Sequence, residues 1–410
     1  MEIREGLLEG KTVVLGVTGG IAAYKIPNLA SALVKEGAVV HVIMTENATN
    51  FITPMTFETL TKNKCIVDTF DRNHSFDVKH VSLAEQADIM MIAPATANVM
   101  AKLAGGIADD MLTTTALACE APIAVVPAMN SRMYKKQVTQ DNIEKLRHYG
   151  FMVTEPDEGH LACGETGIGK MPEPEELLRI INLAVGRPKR LAGKRVVVTA
   201  GPTEEAIDPV RFITNHSSGK MGYAIAEEAA MMGAEVILVS GRTALKKPAG
   251  VSLVSISSAS DMYEAVMSAS KKADIIIKAA AVADYRPKAV ADDKLKKSDF
   301  GDSPVIELER TDDILGTLGE EKNKGSLKDV YLCGFSMETR DMVENSKKKL
   351  EKKHLNLIVA NNVKVSGAGF ATDTNVVTFI NKDGAKEYPL MSKNDVAYKL
   401  LSFIADDMGI

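Results

Sequence analysis

The sequence predicts an α/β protein made of two doubly wound, mostly parallel-sheet, Rossmann-like domains in tandem. Three observations predict it. A strand-and-glycine opening occurs twice: Gly10-Lys11-Thr12-Val13-Val14-Leu15 leads into Gly16-Val17-Thr18-Gly19-Gly20, and Gly193-Lys194-Arg195-Val196-Val197-Val198 leads into Thr199-Ala200-Gly201-Pro202-Thr203. Apolar runs of strand length alternate with stretches of helical spacing in both halves. The 410 residues exceed one ordinary core, and a chain of this length divides into about two to three domains. Each opening is a basic residue, a β-branched strand and a glycine turn ahead of a helix, and such turns accept phosphates. Two openings imply two phosphate-ligand sites and two activities on one chain.

The first half reads as strand 12–17, a helix from about 20 to 36, and strand 39–44. Ile21, Ile26, Leu29, Leu33 and Val34 recur at helical spacing, and Gly37 stops the helix. Ile89-Met90-Met91-Ile92-Ala93 and Ile123-Ala124-Val125-Val126 are continuous apolar runs, as expected of strands buried in a parallel sheet. Gly186 to Gly193 has linker composition, which predicts domains at 1–188 and 189–410. The second half repeats the grammar, with strands expected at 195–199, 235–239, 274–278, 330–335 and 356–360. Helices are expected at 221–232, 260–271, 339–353 and 392–405. Asn375 to Ile380 and Glu387 to Leu390, separated by Asn381-Lys382-Asp383-Gly384, predict a hairpin.

Composition narrows the function classes. Apolar residues make 45% and charged residues 25% of the chain, the balance of a soluble globular protein. Trp is absent and aromatics are 5%, which disfavours a base-stacking platform. The formal net charge of -5 disfavours nucleic acid and anionic membrane surfaces as partners. Met1-Glu2-Ile3-Arg4-Glu5 lacks the apolar run of a signal peptide, and no segment is long and apolar enough to span a bilayer. Cys65, Cys119, Cys163 and Cys333 have no CxxC spacing, so neither a zinc site nor a disulfide framework is expected, and a reducing cytoplasm fits best.

Gly16-x-x-Gly19-Gly20 follows a strand and opens a helix; its N–H groups point at an anion, or the glycines serve packing alone, and the turn by itself does not separate the two. It is not GxGxxG. The second strand ends at Met44-Thr45-Glu46, so a hydroxyl stands near where a dinucleotide fold uses a ribose-binding carboxylate, which favours a mononucleotide over NAD. Ala93-Pro94-Ala95-Thr96-Ala97-Asn98 lies at the C-terminal end of a buried strand, where ligands bind in this architecture. Thr96 and Asn98 offer hydrogen bonds to a bound ring edge or, taken alone, cap the next helix.

Further along, His80 precedes Val81-Ser82-Leu83-Ala84, Pro127-Ala128-Met129-Asn130-Ser131-Arg132-Met133-Tyr134 ends another strand, and Ala162-Cys163-Gly164-Glu165-Thr166-Gly167-Ile168-Gly169-Lys170-Met171 surrounds a cysteine with glycines. In this order, across residues 11–175, the blocks closely resemble the flavin-dependent cysteine decarboxylases, specifically those acting on 4′-phosphopantothenoylcysteine. The resemblance implies FMN, which oxidises the thiol-bearing carbon so that the carboxylate lies β to a C=S electron sink and CO2 can leave. It implies an FMN site at Gly19, Gly20, Ile21, Thr45, Thr96 and Asn98. His80 would act as a base or orienting group in the oxidative half. Asn130 would hold the substrate carboxylate through its amide, and Cys163 would return the final proton. Gly20 stands where many relatives carry serine, which removes one phosphate hydroxyl contact and keeps the backbone donors. Taken singly, a histidine at a helix start is a surface or capping residue, and a lone cysteine is a small buried hydrophobe.

In the second half, Asn215-His216-Ser217-Ser218-Gly219-Lys220-Met221-Gly222 precedes a helix. Two hydroxyls, two glycines and a lysine there suit a polyphosphate; the alternative is a capped helix with an incidental lysine. GxxxxGK[ST] fails at Met221, so this is not a Walker A loop. Ala279-Ala280-Ala281-Val282-Ala283-Asp284-Tyr285-Arg286-Pro287 follows a strand, and Asp292-Asp293-Lys294-Leu295-Lys296-Lys297 reads as a mobile cationic loop or a solvated charge run. Lys349 and Lys353 are spaced to share a helix face.

With the run from Asp208 to Gly222, these blocks make residues 193–405 resemble the phosphopantothenate–cysteine ligases. The resemblance implies that CTP activates the phosphopantothenate carboxylate as an acyl-CMP with loss of pyrophosphate, after which the cysteine amine displaces CMP. Mg2+, held mainly by the nucleotide phosphates with protein ligands left unknown, and lysines would offset the triphosphate charge. Arg211 and Asn215 would handle the acyl intermediate, Ser217, Ser218, Gly219 and Lys220 the phosphates, and Lys294 would neutralise phosphate charge as its loop closes. Ala280, Ala281 and Asp284 would contact substrate or nucleotide, Phe335 would pack on the base, and Lys349 and Lys353 would hold phosphates. Asp312, Asp313, Ile314 and Leu315 fall in the base-contact run, where Thr311 and Asp312 depart from the Asn-Pro-Asp-Ile usual in relatives.

The two resemblances together imply a bifunctional, cytoplasmic enzyme of coenzyme A synthesis. Its partners would be 4′-phosphopantothenate, cysteine and CTP, with no nucleic acid and no membrane. They imply a homo-oligomer with a trimer-based decarboxylase core and ligase dimers. Two rivals remain: another peptidyl-cysteine decarboxylase, which the second half disfavours, and a non-catalytic flavoprotein that regulates a partner, which intact His80, Asn130 and Cys163 disfavour.

Overall fold

The computed structural model describes residues 6–70, 78–162, 164–296, 305–337, 342–361 and 372–410. The chain divides into two compact units, Met1–Arg187 and Pro188–Ile410. In the first, β1 (Thr12–Val17), β2 (Val39–Met44), β3 (Ile89–Ala95), β4 (Ile123–Pro127) and β5 (Met152–Val153) form one sheet in the order β2-β1-β3-β4-β5. Every pair in it is parallel. Uninterrupted apolar sequence makes the inner strands, and all of β3 and β4 is buried.

Helices cover both faces. On one face α1 (Ile26–Lys35), α2 (Pro54–Thr61) and α8 (Pro174–Val185) bring Leu29, Leu33, Phe57, Leu177 and Ile181 onto Val13, Leu15 and Met91. On the other, α3 (Lys79–Gln86), α4 (Ala97–Gly105), α5 (Met111–Ala118) and α7 (Gln137–His148) bring Leu83, Met100, Leu112 and Leu146 onto Val14, Met90 and Ile92. The connection after β1 therefore runs to one face and that after β3 to the other, and the two strands are neighbours. A crevice opens at such a switch point. The short α6 (Ser131–Tyr134) and the antiparallel hairpin β6 (Asp157–His160) and β7 (Thr166–Lys170) lie past the ends of β4 and β5.

The single helix expected over 20–36 is instead a 3-10 turn, Ile21–Lys25, followed by α1. Pro27 sits in the first turn of α1; with no N–H it cannot carry an α-helix through from residue 23.

In the second unit, β8 (Arg195–Ala200), β11 (Glu235–Ser240), β12 (Val251–Ser255), β13 (Ile275–Lys278), β16 (Tyr331–Met337) and β17 (Leu357–Asn361) are parallel. The antiparallel β19 (Val377–Asn381) and β20 (Gly384–Glu387) extend the sheet, giving the order β12-β11-β8-β13-β16-β17-β19-β20. Again the switch lies beside the first strand, between β8 and β13. Two antiparallel ribbons project from this unit: β9 (Glu204–Ala206) with β10 (Phe212–Thr214), and β14 (Tyr285–Pro287) with β15 (Leu308–Arg310). The helices are α9 (Lys220–Met231), α10 (Ala259–Ser270), α11 (Ile314–Lys324), α12 (Met342–Lys352) and α13 (Lys393–Met408).

The second strand of the expected hairpin begins at Gly384 rather than Glu387. Asn381 Oδ1 accepts from the N–H groups of Asp383 and Gly384 at 3.0 and 3.1 Å, which closes a tight turn and lets pairing resume at once. The part of the expected helix 339–353 that precedes residue 342 lies outside the described residues.

A buried threonine fastens the switch point of each sheet. Thr18, fully buried just after β1, donates to Pro94 O at 2.6 Å and accepts from Thr96 N at 3.1 Å. Thr199, fully buried in β8, accepts from Ala280 N at 3.1 Å. Replacing Thr18 by Val orphans a buried carbonyl and leaves the Thr96 N–H without its partner, at a cost of about 1–3 kcal/mol. Hydrogen exchange of the amides at 95–100 should accelerate roughly tenfold or more while amides of the second unit keep their protection. Unchanged exchange at 95–100 would show that the hydroxyl fastens nothing.

Candidate functional sites at the two switch points

In the first unit, the crevice is built from the turn after β1, the end of β2 and the start of α4. At Gly19 a Cβ would stand 2.5 Å from the Cβ of Asn47, so only glycine lets the two turns meet. Gly20 donates its N–H to Thr18 O at 2.8 Å; this donor is spent inside the turn, a correction to the expectation that it stays available to a ligand. Ile21, at 54% exposure, starts the 3-10 turn at the mouth. Thr96 caps α4 by accepting from Val99 N at 3.3 Å, and Asn98 is exposed in that helix's first turn.

Thr45 is the informative residue here. Its hydroxyl is buried and has no hydrogen-bond partner. A buried hydroxyl left unpaired costs about 1–3 kcal/mol, and a phosphate or polyol arriving beside the glycine turn would remove that cost. The residues present therefore fit a phosphorylated, hydroxyl-rich cofactor.

Asn130 caps α6, its Oδ1 accepting from Arg132 N at 2.8 Å. Its amide nitrogen donates to Glu165 Oε2 at 3.3 Å, and the Arg132 guanidinium binds the other oxygen of the same carboxylate. The Asn130 amide thus already faces a carboxylate. Ser131 Oγ donates to Ile168 O at 2.6 Å and Met129 N to Gly169 O at 3.1 Å, which straps the β6–β7 hairpin to the end of β4. Leu161 N donates to Glu165 O at 2.8 Å; Cys163 lies outside the described residues. His80 is half-buried in the first turn of α3 and, among the described residues, bonds to none of these groups.

In the second unit, a cleft of about 140 Å³ is lined by residues 217–222, Ala279, Ala280, Ala281 and Phe335. Gly219 has φ +75°, and a Cβ there would lie 2.7 Å from the methyl of Thr243, so the approach to α9 requires glycine. Asn215 donates its amide to Ala281 O at 3.0 Å, which joins two expected groups directly. Lys220 pairs with Asp373 at 2.6 Å and Lys353 with Asp313 at 2.7 Å, so at these lysines a phosphate would exchange for a carboxylate. Arg211 commits Nε and Nη2 to Asp208. Lys294 and Asp284 are exposed. Lys349 is exposed on α12.

Three placements correct or explain the expectations. Ile314 and Leu315 are 2% and 7% exposed and pack in the core, so their side chains do not serve a ligand. Asp313 caps α11 by accepting from Gly316 N at 3.0 Å, while exposed Asp312 makes no described bond of that kind. Thr311, a departure from the usual pattern, ties the loop after β13: its hydroxyl donates to Ala283 O at 2.6 Å and its N–H to Asp284 O at 3.1 Å.

Sequence reasoning missed Ser336, Asn361, Asn375 and Lys393, which line the same cleft. Lys393 is 6% exposed and donates to Thr372 O at 2.5 Å; burial, then the charge of Lys220, push its ammonium below the usual lysine range. Lys278 was also missed. It ends an otherwise apolar strand, and burial followed by the Lys353 charge pushes it down as well. Among the described residues, no group of three or more His, Cys, Asp or Glu side chains could hold a metal ion, and no helix is long and apolar enough to cross a membrane.

Comparison with known proteins decides the family. Residues 2–186 match the Flavoprotein family, and residues 191–408 match the DNA/pantothenate metabolism flavoprotein C-terminal domain. The chain is 50% identical over 403 residues to the coenzyme A biosynthesis bifunctional protein CoaBC of Bacillus subtilis (strain 168), covering 97% of this chain and 98% of that one. The chain belongs to this family. It is 41% identical over 403 residues to the Escherichia coli (strain K12) member, with 97% of each covered. Among solved structures, the C-terminal domain of a CoaBC protein is 49% identical, with TM-score 0.46 over 54% of this chain and 98% of that one. A PPC decarboxylase mutant complexed with pantothenoylaminoethenethiol is 29% identical, with TM-score 0.39 over 42% and 97%. The protein is a bifunctional enzyme of coenzyme A biosynthesis, a phosphopantothenoylcysteine decarboxylase and a phosphopantothenate–cysteine ligase.

The Lys353–Asp313 pair makes a pH prediction. Partial burial raises the Asp313 carboxyl, but the Lys353 ammonium and the Gly316 N–H together hold it below the ordinary value. A lowered carboxyl stabilises the fold above its unfolded value of about 3.9 and loses that contribution as pH falls towards the lower folded value. The side chains are 28% and 56% exposed, so Lys353→Met should cost at most about 1 kcal/mol in urea unfolding. The gap should stay constant from about pH 7 to 5 and shrink below about pH 4; a gap that widens on acidification would overturn the assignment.

Proposed function

We propose that residues 1–188 are the FMN-dependent decarboxylase and residues 189–410 the CTP-dependent ligase. Thr45 carries the first half of this reading: its buried, unpartnered hydroxyl lies beside the glycine turn at the switch point. Together with Gly19, Gly20, Ile21, Thr96 and Asn98 it would hold FMN, which supplies the redox chemistry that makes the carboxylate a leaving group. Asn130 would orient the substrate carboxylate, with its amide nitrogen turned towards an anion as it is towards Glu165. His80 would act as base or orienting group, and Cys163 would deliver the last proton.

In the ligase, an unactivated carboxylate resists attack by an amine, so it is first joined to a nucleotide. Ser217, Ser218, Gly219 and Lys220 would cradle phosphate at the start of α9, with Lys294, Lys349 and Lys353 adding charge and Mg2+ carried on the phosphates. Arg211 and Asn215 would hold the acyl intermediate, and Ala280, Ala281, Asp284, Asp312, Asp313 and Phe335 would contact nucleotide or substrate. The enzyme would act in the cytoplasm as a homo-oligomer. Exposed Val210 and Phe212 on one ribbon, and Tyr285 and Leu308 on the other, offer apolar surface for ligase pairing.

Two substitutions and one panel test the map. Cys163→Ser should accumulate the oxidised, decarboxylated enethiol in place of 4′-phosphopantetheine, read by mass spectrometry; turnover at the normal rate would refute proton donation. Lys294→Gln should slow ligation by at least about tenfold, or 1.4 kcal/mol, and spare decarboxylation of supplied 4′-phosphopantothenoylcysteine. Equal loss of both activities would contradict separate sites. Pyrophosphate release measured across CTP, ATP, GTP and UTP should be fastest with CTP, and an equal response to all four would remove the assignment of the base.

A further inference from the structure

We propose that Asp208 is a positioning residue for ligation, fixing the main chain beside Lys294 to the turn that carries Arg211. The proposal deepens the ligase reading and rests on its assignment of Lys294. The turn at residues 207–211 closes the β9–β10 ribbon, and the Asp208 side chain within it is fully buried. Its Oδ1 accepts from the N–H groups of Val210 and Arg211, both at 2.8 Å. Its Oδ2 accepts from Arg211 Nε at 2.9 Å, from Arg211 Nη2, and from the N–H of Leu295 at 3.2 Å.

The first two bonds are what an aspartate does in any tight turn. The bond to Leu295 is not local, because its donor lies 87 residues further along the chain. Two more bonds reinforce it. Arg211 Nη2 donates to Leu295 O at 3.0 Å, and Ala291 N donates to Ile207 O at 3.1 Å. Lys294 therefore lies between two anchors, Ala291 and Leu295, both fastened to the same turn.

This revises the picture of a freely mobile cationic loop. The main chain at Lys294 is set in advance, and the exposed side chain keeps its rotamer freedom. Presetting the backbone spares the ordering cost that a loose loop would meet on closing over an anion. The carboxylate is suited to the task. The Arg211 guanidinium, acting against burial and aided by the Val210, Arg211 and Leu295 N–H groups, holds it well below the usual carboxylate range, so it stays charged throughout the assay range. Arg211 keeps Nη1 for a ligand while Nε and Nη2 serve the clamp.

The test is a double-mutant cycle in the full-length enzyme. Asp208→Asn keeps the size and the turn-forming oxygen but places an amide where Arg211 and Leu295 now donate. Ligation is followed as nucleotide-dependent pyrophosphate release with kcat and KM separated, and decarboxylation of supplied 4′-phosphopantothenoylcysteine serves as the control. We expect Asp208→Asn to lower the kcat of ligation by about tenfold or more, which is 1.4 kcal/mol, and to leave decarboxylation unchanged. Added to Lys294→Gln, it should cost less than about twofold, because the group it positions is already gone.

Equal fold losses in both backgrounds would overturn the proposal, as would normal ligation by Asp208→Asn. Normal ligation by Lys294→Gln would overturn the assignment of Lys294 and the proposal with it. A general folding defect of Asp208→Asn would lower ligation by the same factor in the Lys294→Gln background and would lower decarboxylation or the urea-unfolding midpoint as well, so the cycle and the control together separate it from positioning.

Discussion

A buried threonine hydroxyl at the end of the first strand holds each half of this enzyme open for chemistry. In a parallel sheet the strands end on one side, and a crevice forms only where neighbouring connections leave in opposite directions. At that place side-chain hydroxyls add to the few backbone bonds that join the two exits, such as Ala281 N to Gly201 O at 3.0 Å in the second unit. Thr18 joins the exits in the first unit by bonding both Pro94 and Thr96, and Thr199 does so in the second by bonding Ala280. Each hydroxyl sits where water does not reach, so its bonds are worth more than surface ones. The start of α4, capped by Thr96, and the Ala279–Ala281 wall are tied to the first strand of each sheet by these contacts.

From this common frame the units diverge through what is placed at the strand ends. The first gathers an unpartnered hydroxyl at Thr45, an amide at Asn130 with the Glu165–Arg132 pair beside it, and a strap that holds the β6–β7 hairpin. The second gathers many charges and locks several into internal pairs, Lys220 with Asp373, Lys353 with Asp313 and Arg211 with Asp208. On the proposed function, a polyanion binding there would exchange partners rather than meet bare cations, and the pairs limit the repulsion that the lysines would otherwise create.

Much of the frame was legible in the sequence because it rests on local signals. The apolar runs of β1, β3 and β4, the two glycine openings and the order of motifs each lie within a short window. The helix over 20–36 failed at Pro27, where a missing N–H outweighed an apolar spacing that fitted. The hairpin slipped because the Asn381 side chain closes a tighter turn than its composition suggested. The less legible parts of the sites are long-range. Nothing near Asp208 announces a partner at Leu295, and Asn361, Asn375 and Lys393 reach the cleft only because β17, β18 (Thr374–Asn375) and the start of α13 converge beside α9. Ile314 and Leu315 show the opposite error, a ligand-contact motif whose side chains serve the core.

The central claim is that one chain carries two self-sufficient chemistries, each at its own switch point. It is tested most directly by giving the full-length enzyme 4′-phosphopantothenate, CTP, Mg2+ and cysteine labelled with ¹³C at its carboxyl, and following ¹³CO2 and pyrophosphate together. A parallel reaction receives labelled 4′-phosphopantothenoylcysteine and no nucleotide. The account predicts labelled CO2 in both reactions and pyrophosphate only in the first. A nucleotide requirement for CO2 release from the preformed conjugate would contradict it.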